Sequence, residues 1–458
     1  VTAAVSSPVW LTERRRPRVI IIGGGFGGLY AARALRRASV EVLLLDRTNH
    51  HLFQPLLYQV ATATLAPTDI TAPIRWLLRK QEHTTVLMAE VDRIDVTRRV
   101  VGTTDGQEHA YDYLIVAAGA RHSYFAHPEW ERHAPGLKSI DDAIELRRRV
   151  LTAFERAEAT EDPDERAAWL TFVVVGGGPT GVELAGMLPT IARRAFRRDF
   201  RRIDTATTRV VLLEGGPRIL ATYPETLSEH ARLDLLNLGV EVRTGALVSD
   251  IGEHHVSVSG GHPDRDGHPE RSRGIGTDER IHAHTILWGA GNAASPLGTQ
   301  LGAPVDRAGR VQVAPDLSLP GHPEVFVIGD LAATTTNGKA VPGVAPAAMQ
   351  MGALAARNIR RDMEQRERLV FVYKNKGDLA TIGRQRAIAD LGRFQMTGAL
   401  AWWFWLLLHI MYLAGFRNRL SVLIEWAYSY FTFQRGARLI TGSGSARTGR
   451  DATVPGGW

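Results

Sequence analysis

Unbroken aliphatic runs that close on glycine, each followed by a 3.6-residue apolar period, recur along this chain and divide it into strand, turn and helix units. The first run, residues 18–22, leads into Gly23, Gly24, Gly25, Phe26, Gly27 and Gly28. A helical stretch over 29–37 follows, then a strand over 40–45 that ends on Asp46. The second run, residues 171–175, leads into Gly176, Gly177, Gly178, Pro179, Thr180 and Gly181 and a helix carrying Glu183. Both read as βαβ units.

Elsewhere the pattern predicts a loop and helix start over 49–60, strands over 86–94 and 113–119, and a helix over 139–169 interrupted near Pro163. Further strands are expected at 285–288 and at 324–330, the latter closing on Gly329 and Asp330. Residues 254–278 have no periodicity and are rich in Gly, Pro, His, Asp and Arg, which predicts an exposed hairpin insertion. Its histidines lack the spacing of a metal site, so no metal is expected there. Near the end the character changes: residues 399–416 carry no formal charge, residues 420–433 form a second apolar stretch, and Arg417 and Arg419 lie between them.

The glycine turns bring in the chemistry. Glycines let the backbone approach a pyrophosphate, and the helix that follows offers unpaired N–H groups and a partial positive charge. One turn holds one dinucleotide, so two turns imply two. Asp46 lies 18 residues after Gly28, where an acid can bond a ribose hydroxyl. Glu214 occupies the matching place in the second unit, but 33 residues after Gly181 instead of roughly 20. A longer helix and loop over 189–208 is expected to absorb the difference.

Composition then narrows the options. At 458 residues, 44% hydrophobic and 22% charged, the chain has the balance of a globular protein of two or three domains. It contains no cysteine, which excludes disulfides, cysteine-ligated clusters and any thiol relay of electrons. The net charge is +7, and between Lys374 and Arg438 nine basic residues face three acids beside the most apolar segments. That pairing favours an anionic membrane surface over nucleic acid, for which no reader motif is present. Residues 1–16 lack an apolar core of the secretory kind, so cytoplasmic exposure is expected.

Taken together, the two glycine units, residues 49–59, 288–291, 325–331, 341–352, 376–386 and the closing 426–441 resemble the type II NADH:quinone oxidoreductases, also called alternative NADH dehydrogenases. The likeness runs from about Arg18 to Thr441. It implies an α/β two-dinucleotide-binding-domain flavoprotein, with two Rossmann-like domains and a C-terminal membrane-associating helical domain. On this reading residues 1–17 and 442–458 are tails, 18–140 and 297–372 are the two halves of an FAD domain, 141–296 bind NADH, and 373–441 anchor the protein. The implied activity is hydride transfer from NADH to non-covalent FAD, then two electrons to a membrane quinone, menaquinone or ubiquinone, without proton pumping. A homodimer on the cytoplasmic face of the membrane is implied as well.

The same resemblance assigns residues. FAD falls to Gly23, Gly25, Phe26, Gly27, Gly28, Asp46, Val91, Gly119, Gly329 and Asp330, and NADH to Gly176, Gly178, Gly181, Glu214 and Gly291. The quinone falls to Tyr58, Gln59, Ala347, Met349 and Gln350, while Glu183, Gln350 and Lys376 are the expected catalytic residues. Many relatives carry Gln where this chain has Pro346, which offers no amide, so polar contacts to a quinone are expected to shift toward Gln350 and backbone groups. Two alternatives share the nucleotide units: a soluble flavoprotein reductase of a ferredoxin- or rubredoxin-like acceptor, and a nucleotide-binding redox sensor. The first has no use for the apolar stretch at 399–416, and in the second the flavin has no turnover task. As a helix that stretch would span about 27 Å against a hydrocarbon core of roughly 30 Å. The short second stretch and the flanking arginines favour two helices lying in the interface.

Overall fold

A computed structural model describes residues 16–260, 278–413, 415–432 and 438–440. Much of the hairpin insertion and both tails therefore lie outside the described residues.

Two parallel sheets form the frame. In the first, strands run in the order Ser318–Leu319, His322–Val327, Tyr113–Val116, Arg18–Ile22, Glu41–Asp46 and Thr84–Met88, all parallel except the first. The strand His322–Val327 comes from beyond the whole second sheet, so the first sheet is built from two separated parts of the chain. The second sheet is Val240–Thr244, Arg209–Glu214, Thr171–Val175 and Thr285–Trp288, all parallel. Ile20, Ile21, Val173 and Val174 are fully buried, as expected of strands covered on both faces. Strands Ala120–His122 and Asn292–Ala294 pair with each other where the chain crosses from one half to the other and back.

Each sheet carries its helix on the glycine turn. The Phe26–Ala34 helix packs on the long Ala345–Met363 helix so closely that a methyl on Gly352 would lie 2.2 Å from the Gly27 carbonyl oxygen. This contact holds residues 344–349 opposite the first turn. On the other side, a methyl on Gly186 would lie 1.6 Å from the Ile382 oxygen. The Pro179–Thr190 helix is thereby seated backbone to backbone on the C-terminal sheet of Asp378–Gly383, Arg386–Asp390 and Gln395–Thr397.

Some expected elements are divided. The strand at 86–94 is two, Thr84–Met88 and Val91–Asp95, because at Ala89 the chain bonds the Asp46 carbonyl and leaves the sheet. The helix over 139–169 breaks as expected, into Ile140–Ala159 and Pro163–Trp169. The extra length before Glu214 folds as a π-helical turn, Ile191–Ala195, and a 3-10 turn, Thr205–Thr207. Residues 53–65, expected with the first glycine unit, bury Phe53, Leu56, Leu57 and Leu65 in the core of the second unit and the C-terminal helices.

The uncharged run at 399–416 does not form one helix. It divides into Gly398–Tyr412 and the start of Phe416–Thr432. Among the described residues no helix is long and apolar enough to cross a membrane. Gly398–Tyr412 buries Trp405 to 2% exposure and leaves Leu400, Leu407 and Met411 at 59–68% on its other face. The following helix is tied to the body through Asn418 to the Thr71 carbonyl, Ser421 to Asp69 and the Trp426 indole to Gln59. Its Leu423 and Ile424 are exposed. The pair presents an apolar face rimmed by arginine, the form of an interfacial anchor.

Candidate functional site

The two glycine turns have the same construction. Gly23 and Gly176 adopt φ of +98° and +105°, where only glycine is unstrained, and their N–H groups donate to Leu45 and Leu213 at 2.8 and 2.7 Å. A methyl on Gly28 would lie 1.8 Å from the Gly23 oxygen, and one on Gly181 equally close to Gly176. Gly24 N–H donates to Asp46 at 2.6 Å, and Gly177 N–H donates to Glu214 at 2.6 Å. The acids therefore fix their own turns first. Asp46 is also bonded by Thr48, and Glu214 by the Gly216 N–H, yet each carboxylate has lone pairs left for a ribose.

A cavity of 950 Å³ runs from the first turn toward the second, a volume suited to a dinucleotide and a second substrate. Gly23, Gly25, Phe26, Gly27, Asp46, Val91, Gly119, Gly329 and Asp330 all line it. A methyl on Gly25 or Gly119 would meet nothing, so the backbone there is open to a ligand. Gly28 lies behind, where it closes the turn. From the second unit the cavity takes Pro179, Thr180, Glu183 and Tyr223, while Gly178 faces open space. Gly291 does not line it. Instead Gly291 packs against the Ser123 oxygen and the Phe125 ring, beside the paired crossing strands.

Three buried ionisable groups set the electrostatics. Burial raises Asp330 above the ordinary carboxylate range, partly offset by the charges of Lys138 and Arg310. Burial also lifts Glu183 well above its usual value, with the Thr381 backbone hydrogen bond pulling the other way, which favours its neutral form. His51 is pushed by burial down to about 4 and is neutral, its Nδ1–H donating to the Gly24 carbonyl at 3.0 Å. Its ring meets Phe26 edge-on at 5.0 Å and braces the turn. Lys138 and His51 were missed from the sequence, since nothing local marks them; the fold brings Lys138 to the cavity and sets His51 against the first turn.

The residues expected to bind a quinone are divided between two spaces. Met349 lines the large cavity with Pro346 and Ala348, whereas Ala347 is buried behind the wall. Tyr58 and Gln59 line a separate apolar pocket of 410 Å³ with Trp402, Trp405, Leu423 and Trp426. Gln59 accepts from the Trp426 indole at 2.7 Å and donates to the Tyr58 hydroxyl at 2.8 Å. The partition is one helix turn: Trp405 faces the apolar pocket and His409 the cofactor cavity, their rings stacked at 4.2 Å. Burial pushes His409 down to about 4, and its Nδ1–H donates to the Trp405 carbonyl at 2.7 Å.

Gln350 reaches neither space. Both ends of its amide are held by Lys374, at 3.0 Å to the carbonyl and 2.9 Å from the N–H, which tethers the C-terminal segment to the Ala345–Met363 helix. Lys376 donates to the Tyr412 hydroxyl at 3.0 Å, and it is Tyr412 and Gly377 that face the cavity. No cluster of three metal-ligating side chains occurs among the described residues.

Residues 17–352 match the pyridine nucleotide-disulphide oxidoreductase family, and residues 375–435 match the NDH2 C-terminal domain. The chain is 45% identical over 437 residues to the type II NADH:quinone oxidoreductase Ndh of Mycobacterium tuberculosis, covering 93% of this chain and 91% of that one. It is 44% identical to NdhA of the same organism, covering 93% and 90%. NDH2 from Plasmodium falciparum, solved in complex with NADH, superposes with a TM-score of 0.83 at 20% identity over 93% of this chain and all of that one, a likeness of fold. With nearly half its residues shared along nearly its whole length, this chain belongs to the type II NADH:quinone oxidoreductases.

Proposed function

We propose that the large cavity holds FAD against the first glycine turn and NADH against the second, and that a quinone is reduced beside it. As a member of its family the protein is a flavoenzyme that oxidises NADH with a membrane quinone, without pumping protons. The single observation that carries the placement is the shared wall: residues 23–27 together with Pro179, Thr180 and Glu183 line one cavity. When bound there, a flavin would supply the two-electron acceptor that no side chain of the chain offers. The chain's contribution is positioning: the turns fix two pyrophosphates, Asp46 and Glu214 the two adenosine riboses, and the buried Asp330 the ribityl end. Burial favours the neutral form of Glu183, and in that form it can donate a hydrogen bond into the cavity. We assign residues 18–140 and 297–372 to the FAD domain, 141–296 to the NADH domain and 373–441 to the anchor, and we place a homodimer on the cytoplasmic face, where NADH is available.

The test is quinone-dependent NADH oxidation by detergent-solubilised full-length protein, with its flavin released and identified. One FAD per chain and steady turnover are expected. Turnover with a hydrophilic acceptor alone, or release of FMN, would overturn this reading.

Glu214 also sets the nucleotide. A 2′-phosphate would meet its carboxylate, and Arg218, the nearby cation, is committed to the carbonyls of Tyr223 and Ala221 at 2.8 and 2.9 Å. NADH should therefore be preferred over NADPH by on the order of a hundredfold in kcat/KM. Glu214→Gln should narrow the gap to about tenfold, mainly through KM. Equal efficiencies in the wild-type protein would refute the assignment.

A further inference from the structure

The second glycine unit is longer than a dinucleotide turn requires, and its extra residues have an order of their own. Over 193–202 the sequence repeats every four residues: Arg193 and Arg194, Arg197 and Arg198, then Arg201 and Arg202, separated by Ala195 and Phe196, then Asp199 and Phe200. The π-helical turn at Ile191–Ala195 begins this segment at the end of the Pro179–Thr190 helix. The phenylalanines point inward. Phe196 and Phe200 lie 4.9 and 6.0 Å from the Phe154 ring, which in turn stacks on Phe172 of the second sheet.

All six arginines are exposed. The guanidinium groups of Arg193 and Arg201 donate to the carbonyls of Leu238 and Arg198, which carry no formal charge. Glu158 receives the backbone N–H groups of Arg201, Arg202 and Ile203, and Asp199 pairs with Arg438; Glu161 reaches Arg202 only at 3.6 Å. The dinucleotide cavity uses none of them.

The segment's place supplies the second observation. Arg194 and Ala195 line the apolar pocket together with Trp402, Leu423 and Trp426 of the C-terminal helices. Arg438, just beyond those helices, bonds the Ala195 carbonyl and lies 6.0 Å over the Phe196 ring. The arginine segment therefore meets the C-terminal helices at Arg194 and Ala195, beside the exposed Leu423, and at Asp199 through Arg438. An apolar face sunk into the acyl boundary sets the charges at its edge at the level of the phosphates.

We propose that residues 193–202 form a docking surface for anionic phospholipid headgroups, a membrane contact carried by the NADH-binding half and separate from the C-terminal anchor. The proposal rests on the interfacial reading of that anchor. Two contacts on different elements would fix the tilt of the protein on the bilayer, which one helix pair cannot do alone.

The test compares full-length protein on vesicles of neutral phosphatidylcholine and of phosphatidylcholine mixed with anionic phosphatidylglycerol. The variants replace Arg197, Arg198, Arg201 and Arg202 together by Gln, or together by Lys. The wild-type protein should bind both vesicles and prefer the anionic ones. The Gln variant should bind neutral vesicles as well as wild type but lose more than tenfold on anionic ones, about fivefold per arginine near the surface as an upper bound. The Lys variant should keep most of the anionic preference. NADH oxidation with a hydrophilic acceptor and the mass of the free protein should be the same in all three. Anionic binding of the Gln variant equal to wild type, or equal losses on both vesicles, would overturn the headgroup site alone. A changed oligomeric mass without lipid would assign the surface to a second copy instead, and wild-type protein that binds neither vesicle would overturn the anchor and the proposal together.

Discussion

Gly28→Ala should yield colourless protein, and Gly181→Ala should yield yellow protein that no longer responds to NADH at ordinary concentrations. Each added methyl would sit 1.8 Å from the carbonyl oxygen of the glycine five residues earlier, Gly23 or Gly176. No rotamer relieves a Cβ clash with backbone, so the turn must open. Opening it moves the N–H groups at the start of the helix away from the pyrophosphate they would bind. Because the turns belong to different sheets, the losses should be independent. Flavin content of the purified variants and their NADH dependence with a hydrophilic acceptor give the readout. Flavin retained in Gly28→Ala, or flavin lost in Gly181→Ala with NADH binding intact, would reverse the assignment of the two turns.

What could be read from the sequence was what is local. The turns, the strands before them and the acids after them interact within one βαβ unit, so spacing pointed to Asp46 and the end of the following strand to Glu214, and the structure bonds each to its own turn. The over-long stretch before Glu214 was visible too, but not its arginine display, which depends on Phe196 and Phe200 finding Phe154. Across elements the reading weakened. Tyr58, Gln59 and Met349 look like one site in sequence, and only the folded chain shows Trp405 and His409 standing between the two spaces they line. Gln350 looked free to act, yet the C-terminal strap at Lys374 occupies both ends of its amide. Lys138 gives no sequence signal; it is notable only because the fold brings it near the buried Asp330.

The C-terminal helices are where folding and function are hardest to separate, and the way they are removed decides what is learned. Cutting the chain before Ala399 suggests itself as a route to a soluble enzyme, but the helices are part of the core. Trp405, Leu413 and Val422 are nearly fully buried against Phe53, Leu57 and Leu65, and Gln59 would lose the indole that bonds it. Losing Trp405 alone should cost about 3–5 kcal/mol, so the truncated protein should aggregate and lose flavin. Substituting the outer face should do the opposite. Leu400, Leu407, Met411, Leu423 and Ile424 are each 47–68% exposed, so replacing all five by Gln removes apolar area that never entered the core. At about 25 cal/mol per Å² the loss of that buried area in the interface amounts to several kcal/mol, on the order of a thousandfold in partition. That variant should appear in the soluble fraction with full flavin and unchanged NADH oxidation toward a hydrophilic acceptor, while its turnover with quinone in membranes falls in proportion to the bound fraction. If the five-fold variant stays on the membrane, or if the truncated chain proves soluble and flavin-loaded, then the helices do not divide into a core face and a bilayer face as the burial pattern requires.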